Sequence, residues 1–394
     1  MTESRSVFRK SLPLLLTTLV NKSGSIGITL LPILLVEGHY STAQSSFVMS
    51  VVKGTTLVST VLSGFLSDLV GFRVVLLGSF LLATVGLFML PLSLGLVVLT
   101  LAGVISQLGI TSVNTSTRLL LTRTMARTEQ KEALGWMRFV NNLGQIFSYG
   151  LATLTASLGA KVLIWFDAFT SLFAFVLGWR VLPKKEKNSD LPIGPPDASG
   201  TKRAVNWWPF VGCTFLITGW YAMYEFFVVG IAGLLEVTHP DQGLRIFSML
   251  MVLNTVLCAA LAVVASRFLT QVVPSLALGV LLTAAGVILA AWQTHDIALL
   301  FVSALFLTLG EVIYGALGQF LLIRSVPASA RENTVYSSAI LVANVGRMVA
   351  AGLAFPLIID AKSPAWAMGI TASVGAFSLV VLLLGGRQLA RLAD

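Results

Sequence analysis

The sequence predicts an all-α integral membrane protein with 12 transmembrane helices. Twelve apolar stretches fill almost all of the 394 residues, and runs such as Val272–Trp292 contain no charged residue. A spanning helix needs about 20 mostly apolar residues. The composition agrees, with 56% hydrophobic and 11% charged residues, whereas soluble domains carry about 25% charge. Because lipid offers the backbone no hydrogen-bond partners and the runs do not alternate, we expect helices rather than strands.

The predicted spans follow one another with short polar connections. In chain order they cover residues 11–36, 43–67, 73–92, 95–119, 133–158, 162–182, 208–234, 243–267, 272–293, 296–322, 333–359 and 365–386.

Lysine and arginine are concentrated on one side of the predicted membrane. Of the 26 such residues, 19 lie at one set of span ends, and three (Lys161, Arg245 and Lys362) lie at the opposite set. Loops rich in Lys and Arg stay in the cytoplasm, so both termini are predicted to be cytoplasmic. The net charge of +9 thus follows from topology and does not indicate nucleic-acid binding. Short loops favour a multi-pass protein of a bacterial inner membrane.

The chain divides into two similar halves. Residues 183–206 are rich in Pro, Gly, Asp and Lys, which is typical of a cytoplasmic linker. The linker separates an amino-terminal six-helix bundle, residues 1–182, from a carboxy-terminal one, residues 207–394. The sequence Asn142-Leu-Gly144 recurs as Asn344-Val-Gly346, and other short matches share nearly this offset. Parallel repeats of this kind are typical of transporters whose substrate site lies at the membrane midplane.

One motif between the second and third spans points to a family. It reads Gly64-Phe-Leu-Ser-Asp68-Leu-Val-Gly71-Phe-Arg73, and with the six-plus-six organisation it resembles the major facilitator superfamily over essentially the full length. The resemblance implies that Gly64, Asp68, Gly71 and Arg73 form a cytoplasmic gate. Asp68 would cap this gate against the start of the eleventh span and nearby basic residues. Gly64 would permit close helix approach, and Gly71 would permit a tight turn.

A second stretch resembles one branch of that family. Gln130-Lys-Glu-Ala-Leu-Gly-Trp-Met-Arg138-Phe-Val-Asn-Asn-Leu-Gly144 and the Leu-Gly-Glu triplet ending at Glu311 look like the multidrug exporters, which are proton antiporters. The sequence departs from the antiporter signature of the fifth span, because Ser148 and Tyr149 replace its Gly-Pro pair. The branch implies export and proton coupling.

Seven charged residues fall inside the predicted spans. A charge at the centre of a spanning helix costs roughly 2.5–3.5 kcal/mol on insertion scales, so such residues usually face the bundle interior and serve function. Asp167 lies near the end of its span beside Lys161, and a structural capping role is expected for it. The seven are Lys22, Lys53, Arg138, Asp167, Glu225, Glu311 and Arg347.

Polar residues at helical spacing form stripes on four spans, and such stripes indicate a lined cavity. The alternative is that these polar groups only form hydrogen bonds with one another across helix interfaces. The stripes are Thr18, Asn21, Lys22, Ser25 and Thr29; Gln107, Thr111, Asn114 and Arg118; Arg138, Asn141, Gln145 and Ser148; and Thr214, Thr218, Tyr221 and Glu225.

Glu311 and Glu225 are the predicted proton carriers, because a carboxyl group removed from water can exchange protons near neutral pH. Lys22, Lys53 and Arg138, if they face one cavity, would favour an anionic substrate. If the lysines instead pair with the glutamates, the pocket is nearly neutral and the substrate lipophilic. The predicted substrate-binding residues are Asn21, Lys22, Lys53, Gln107, Arg138, Asn142, Tyr221, Tyr224 and Arg347.

These features predict a secondary active transporter that works by alternating access. We expect proton-coupled export of small amphipathic or anionic organic molecules by a monomer in the lipid bilayer, with no cofactor. The alternatives are an uncoupled facilitator or lipid flippase, and a proton-coupled importer of a small anionic metabolite. An enzyme is not expected, because the three histidines lie in loops and no nucleophile–base pair, metal-ligand cluster or phosphate-binding loop is visible.

Overall fold

The computed structural model describes residues 2–92, 95–125, 127–182, 207–268, 271–292, 296–318, 321–322, 325, 332–359 and 365–393. Within these ranges the chain is helical and contains no strand, which confirms the all-α class. The predicted linker, residues 183–206, lies outside the described residues.

The described residues of the first half form seven α-helices. Two 3-10 turns, Leu90–Leu92 and Ala156–Leu158, extend the ends of the fourth and sixth of these helices. The helices are α1 (Thr2–Gly24), α2 (Leu31–Glu37), α3 (Thr42–Val70), α4 (Phe72–Met89), α5 (Leu96–Thr124), α6 (Arg127–Leu154) and α7 (Ala160–Val181).

The second half supplies six more described α-helices. Two π-helical turns, Tyr314–Gly318 and Phe355–Ile359, continue the fourth and fifth of them. The helices are α8 (Trp208–Thr238), α9 (Gly243–Phe268), α10 (Val272–Trp292), α11 (Ile297–Ile313), α12 (Glu332–Ala354) and α13 (Ala365–Ala393).

These helices begin within a few residues of the predicted spans for most of the chain. Among the described residues, ten helical segments are long and apolar enough to cross a membrane, and Ile297–Ile313 is a shorter apolar helix. The charged helix α6, which corresponds to the predicted fifth span, is not among the ten. The count of 12 transmembrane helices and the cytoplasmic termini stay predictions.

The first predicted span differs from the structure. Residues 11–36 were expected to form one helix, but α1 ends at Gly24, a 3-10 turn covers Gly27–Leu30, and α2 follows. Two glycines close together favour such a break, because glycine costs helical stability. Pro32 in the first turn of α2 suits a new helix start.

Packing groups the described residues into two compact units. The first comprises those within Met1–Lys187, Val228–Ala259 and Ala351–Asp360, and the second those within Asn188–Phe227, Ala260–Ala350 and Ala361–Asp394. Apolar side chains from several helices fill the core of each unit. They include Leu15, Leu76, Phe80, Leu120 and Ala174 in the first, and Ile217, Trp220, Val280, Tyr314 and Leu382 in the second.

Segments from the second half of the sequence are part of the first unit. The π turn Phe355–Ile359 packs on α3, and α12 approaches α3 so closely that a methyl group at Gly352 would overlap the hydroxyl of Ser50. A methyl at Gly230 would likewise lie 3.1 Å from Ile358 Cγ1. The division at residues 182 and 207, made from the sequence, stays a prediction.

Candidate functional site

Asp167 stabilises the break in the first span. Its carboxylate is buried with 2% exposure, and the backbone N–H of Gly27 donates a 2.8 Å hydrogen bond to its Oδ2. The end of a helix leaves backbone groups without partners, which is costly away from water. Asp167 on α7 supplies one such partner to the 3-10 turn, which agrees with the capping role expected for it.

Lys22 lies in the last turn of α1, directly before this break. Its side chain is buried, with 7% exposure, and it lines a small polar recess between α1, α5 and α6. Two of the lining residues are cationic and none is acidic. The recess is lined by Thr18, Lys22, Val113, Asn114, Thr117, Arg118, Met137 and Asn141.

The charged groups that act on Lys22 are the carboxylate of Asp167 and the guanidinium of Arg118. Asp167 is already engaged with the backbone of Gly27. In the part of the chain that the structure describes, the ammonium of Lys22 forms no hydrogen bond or ion pair. A buried, unpaired ammonium is expensive in free energy, so the recess is suited to an anionic partner.

A glycine sets the position of Lys22. A Cβ at Gly144 on α6 would overlap Lys22 Cβ and lie 2.9 Å from the carbonyl carbon of Lys22. Helices α1 and α6 can therefore approach backbone to backbone only because position 144 has no side chain. Gly346 on α12 plays the same part in the second unit, where a Cβ would lie 2.8 Å from Thr218 Cγ2 and 3.1 Å from Thr218 O on α8.

Other predicted residues of the first unit do not join Lys22. Neither Lys53, buried on α3, nor Arg138, half-buried on α6, lines the recess. Asn21 is buried and donates a 3.1 Å hydrogen bond to Ser171 on α7, and Gln107 donates one of 3.0 Å to Thr111.

Asn142 is half-buried on α6. The polar residues that line the recess together with Lys22 include Arg118, Asn114 and Asn141. Their helical spacing in the polar stripes was the signal that could have singled them out.

The predicted gate motif forms the turn between α3 and α4. Gly71 has φ of +88°, a conformation that glycine adopts without steric cost. Arg73 donates a 2.8 Å hydrogen bond to the carbonyl of Trp179 on α7, and its guanidinium lies 5.6 Å from the centre of that indole ring.

The other two residues of the gate motif are Asp68 and Gly64. The side chain of Asp68 lies outside the described residues. The close helix approach expected at Gly64 is absent, since a methyl there would meet no described atom within 4 Å. The face of α3 that packs on α5 carries Ser59, whose hydroxyl is 2.8 Å from that of Ser112.

The second unit contains a buried ion pair between two helices. Both Nε and NH2 of Arg347 on α12 donate to Glu225 Oε2 on α8, at 2.9 and 2.7 Å. The side chain of Glu225 is 3% exposed and that of Arg347 is 30% exposed. The guanidinium carbon of Arg347 also lies 5.5 Å from the ring centre of Tyr221. Charge-assisted bonds of this kind are the strong ones in proteins.

Aromatic rings surround this ion pair. Trp220 stacks on Tyr314 with centroids 5.6 Å apart and an interplanar angle of 2°, and Tyr221 and Tyr224 lie 4.8 and 5.9 Å from Trp220. Among the described residues, the Trp220 indole nitrogen and the Tyr314 hydroxyl are buried without a hydrogen-bond partner. Tyr314 begins a π-helical turn, a feature frequent at functional sites.

Sequence reasoning did not single out the stack of Trp220 on Tyr314, and no local pattern marks it. Glu311, the other predicted proton carrier, is half-buried on α11, three residues before Tyr314.

Solved structures share this fold. A peptide transporter, POT, in complex with sulfate aligns with a TM-score of 0.74 at 14% identity, covering 98% of this chain and 95% of that one. A POT family transporter in complex with a thioalcohol-conjugated peptide gives 0.73 at 12%, with 97% and 96% covered. A mutant of the nucleoside transporter NupG gives 0.70 at 12%, with 95% and 98% covered. No curated protein matches the chain.

The sequence profile described as Major Facilitator Superfamily matches residues 14–275. Together with the similar folds it indicates a multi-pass membrane transporter, acting on a small molecule, rather than an enzyme. Membership of the exporter branch stays a prediction. Since the profile covers well over half of the sequence, the chain belongs to the major facilitator superfamily.

Proposed function

We propose that the protein is a proton-coupled secondary transporter of small amphipathic organic anions that works by alternating access. The family supports secondary transport. The observation that carries proton coupling is the ion pair of Glu225 with Arg347, which joins two membrane helices and is almost fully buried at its carboxylate.

A proton on Glu225 would remove the negative charge that Arg347 binds. The guanidinium would then have no carboxylate partner in this pair, and leaving it so is costly in a buried setting. A substrate carboxylate, sulfonate or phosphate could replace the lost partner. Protonation of Glu225 would thus make Arg347 available to a substrate anion, so that proton and anion would bind together and move in the same direction.

The groups around the pair favour an amphipathic substrate. Tyr221, Tyr224 and Trp220 offer apolar ring surface together with polar atoms. In the first unit the cationic recess at Lys22 favours an anionic group. Co-binding of proton and anion at Glu225 and Arg347 favours movement of the anion in the direction of the proton, whereas the resemblance of residues 130–144 to the exporter branch favours export. Glu311 is proposed as a further proton carrier.

The test uses purified protein in proteoliposomes that contain a pH-sensitive dye. An imposed pH gradient should drive flux of impermeant aromatic sulfonates and phosphates, and flux should be measured in both directions. We expect Glu225→Gln to abolish the pH-driven component. Glu236→Gln, which changes a carboxyl near the end of the same helix, is the matched control and should transport normally.

Undiminished pH-driven flux in both Glu225→Gln and Glu311→Gln would exclude these two carriers. Flux of the wild type that ignores the pH gradient would instead support an uncoupled facilitator. Movement of the anion along the proton gradient would support co-binding at this pair, whereas movement against the gradient would support exchange and export.

A further inference from the structure

We infer that the recess at Lys22 is a subsite for a single oxyanion group, such as a carboxylate, sulfonate or phosphate, formed by Lys22, Arg118, Asn114 and Asn141. The inference rests on the proposed function, because it names the chemical class of the substrate. It concerns residues of α1, α5 and α6 only, all within the first unit.

The charges of the recess favour an anion. Two cations and no carboxylate line it, and Lys22 is more than nine-tenths buried with no hydrogen bond or ion pair in the described part of the chain. The carboxylate that acts on it, Asp167, already accepts a hydrogen bond from the backbone N–H of Gly27. Because a charge in a membrane interior is costly, an oxyanion bound here would add to the compensation that Asp167 provides to Lys22.

The recess contains donors of the kind that bind an oxyanion. Arg118 is exposed while Lys22 is buried, so a ligand can reach Lys22 from the exposed guanidinium. A guanidinium binds carboxylate and phosphate oxygens through two parallel bonds. The amide nitrogen of Asn141 can donate to an oxyanion, whereas its buried amide oxygen, which has no partner among the described residues, can only accept. Thr18 already donates its hydroxyl to Leu14 O and can only accept.

The size of the recess limits what enters it. Its free volume is about 10 Å³, room for roughly one water-sized group. The recess therefore admits no more than one charged group, and the remainder of the ligand stays outside it. Two sources could supply that group, a soluble organic anion and the headgroup of an anionic lipid.

The experiment measures binding rather than transport. Purified full-length protein in neutral detergent is titrated with benzenesulfonate, benzenesulfonamide and benzylamine, which share a ring and differ in charge, and thermal stability is recorded. A parallel series adds phosphatidylglycerol or phosphatidylcholine. We expect stabilisation by benzenesulfonate, and a dissociation constant raised at least tenfold in Lys22→Gln and Arg118→Gln. Lys22→Arg should retain binding, and Lys161→Gln, which removes an exposed cation of α7, should bind as the wild type does.

Each outcome decides the inference. Stabilisation by phosphatidylglycerol alone, lost in Lys22→Gln, keeps the oxyanion subsite and identifies a lipid headgroup as its ligand. Equal effects of all three ring compounds, or benzenesulfonate binding unchanged in both variants, would overturn it. If Lys22→Gln fails to fold, Arg118→Gln decides alone, because its side chain is exposed. Failure of this binding test with pH-driven transport intact would refute the subsite only, whereas intact binding without pH-driven flux would refute the proposed coupling only.

Discussion

Replacing Gly144 with alanine tests whether the contact between α1 and α6 sets the position of Lys22. In an open helical position, changing glycine to alanine stabilises by about 1 kcal/mol. At position 144 the added methyl overlaps Lys22 Cβ and lies 2.9 Å from a backbone carbon of α1. Backbone atoms cannot rotate away as a flexible side chain can, so the helices must separate. Overpacking of this kind costs about 1–3 kcal/mol.

The matched control lies six residues further along the same helix. No described atom is within 4 Å of a methyl at Gly150, so Gly150→Ala should show the stabilisation alone. Measured by thermal and denaturant unfolding in detergent, the two variants should differ by about 1–3 kcal/mol, with Gly144→Ala the less stable. Benzenesulfonate binding should also weaken in Gly144→Ala, because separation of the two helices would move Lys22 on α1 away from the recess residues on α6. Equal stability of the two variants would show that the helices do not meet at Gly144 in solution.

Three further changes test other contacts in the two units. Glu225→Gln leaves Arg347 without its carboxylate and should cost up to about 3 kcal/mol, lessened by the exposure of Arg347. The double variant with Arg347→Gln should recover part of the loss, and a purely additive double variant would refute the ion pair. Asp167→Ala leaves the N–H of Gly27 unpaired and should cost about 1–3 kcal/mol, with Asp167→Asn less harmful; equal stability of Asp167→Ala and the wild type would refute the cap. Tyr314→Phe removes a buried hydroxyl without a described partner and should be neutral or stabilising, so a clear loss of stability would reveal a partner for it.

The helices could be predicted from the sequence because their apolar length is a local property. Val272–Trp292 begins and ends within a residue of its prediction, since charged or polar residues bound it on both sides. The break after Gly24 could not be predicted in this way. A helix tolerates single glycines, and this break is stabilised by Asp167, more than 100 residues away.

The site was predicted less completely, because depth along a helix does not fix the face on which a residue lies. Lys22, Lys53 and Arg138 have similar predicted depth, yet only Lys22 lines the recess. Arg118 lies at the end of its predicted span, where positive charge is explained by topology alone. Its spacing from Asn114 nevertheless places both residues on one face of the helix. The pair of Glu225 and Arg347 depends on how α8 and α12 are rotated, which no single-sequence pattern reports.

The internal repeat gives these observations a common explanation. Gly144 and Gly346 occupy the same place in the two copies of the Asn-x-Gly sequence, and each allows its helix to approach the first helix of its own half. The duplicated element is thus a backbone contact, which tolerates no side chain and leaves little freedom to change. The polar side chains beside it are not constrained in this way. Next to Gly144 they form a cationic recess without a carboxylate, and next to Gly346 they form an ion pair that neutralises itself. Beside the same duplicated contact, one half therefore carries cationic groups without a lining carboxylate, while the other carries a carboxylate bound to a cation.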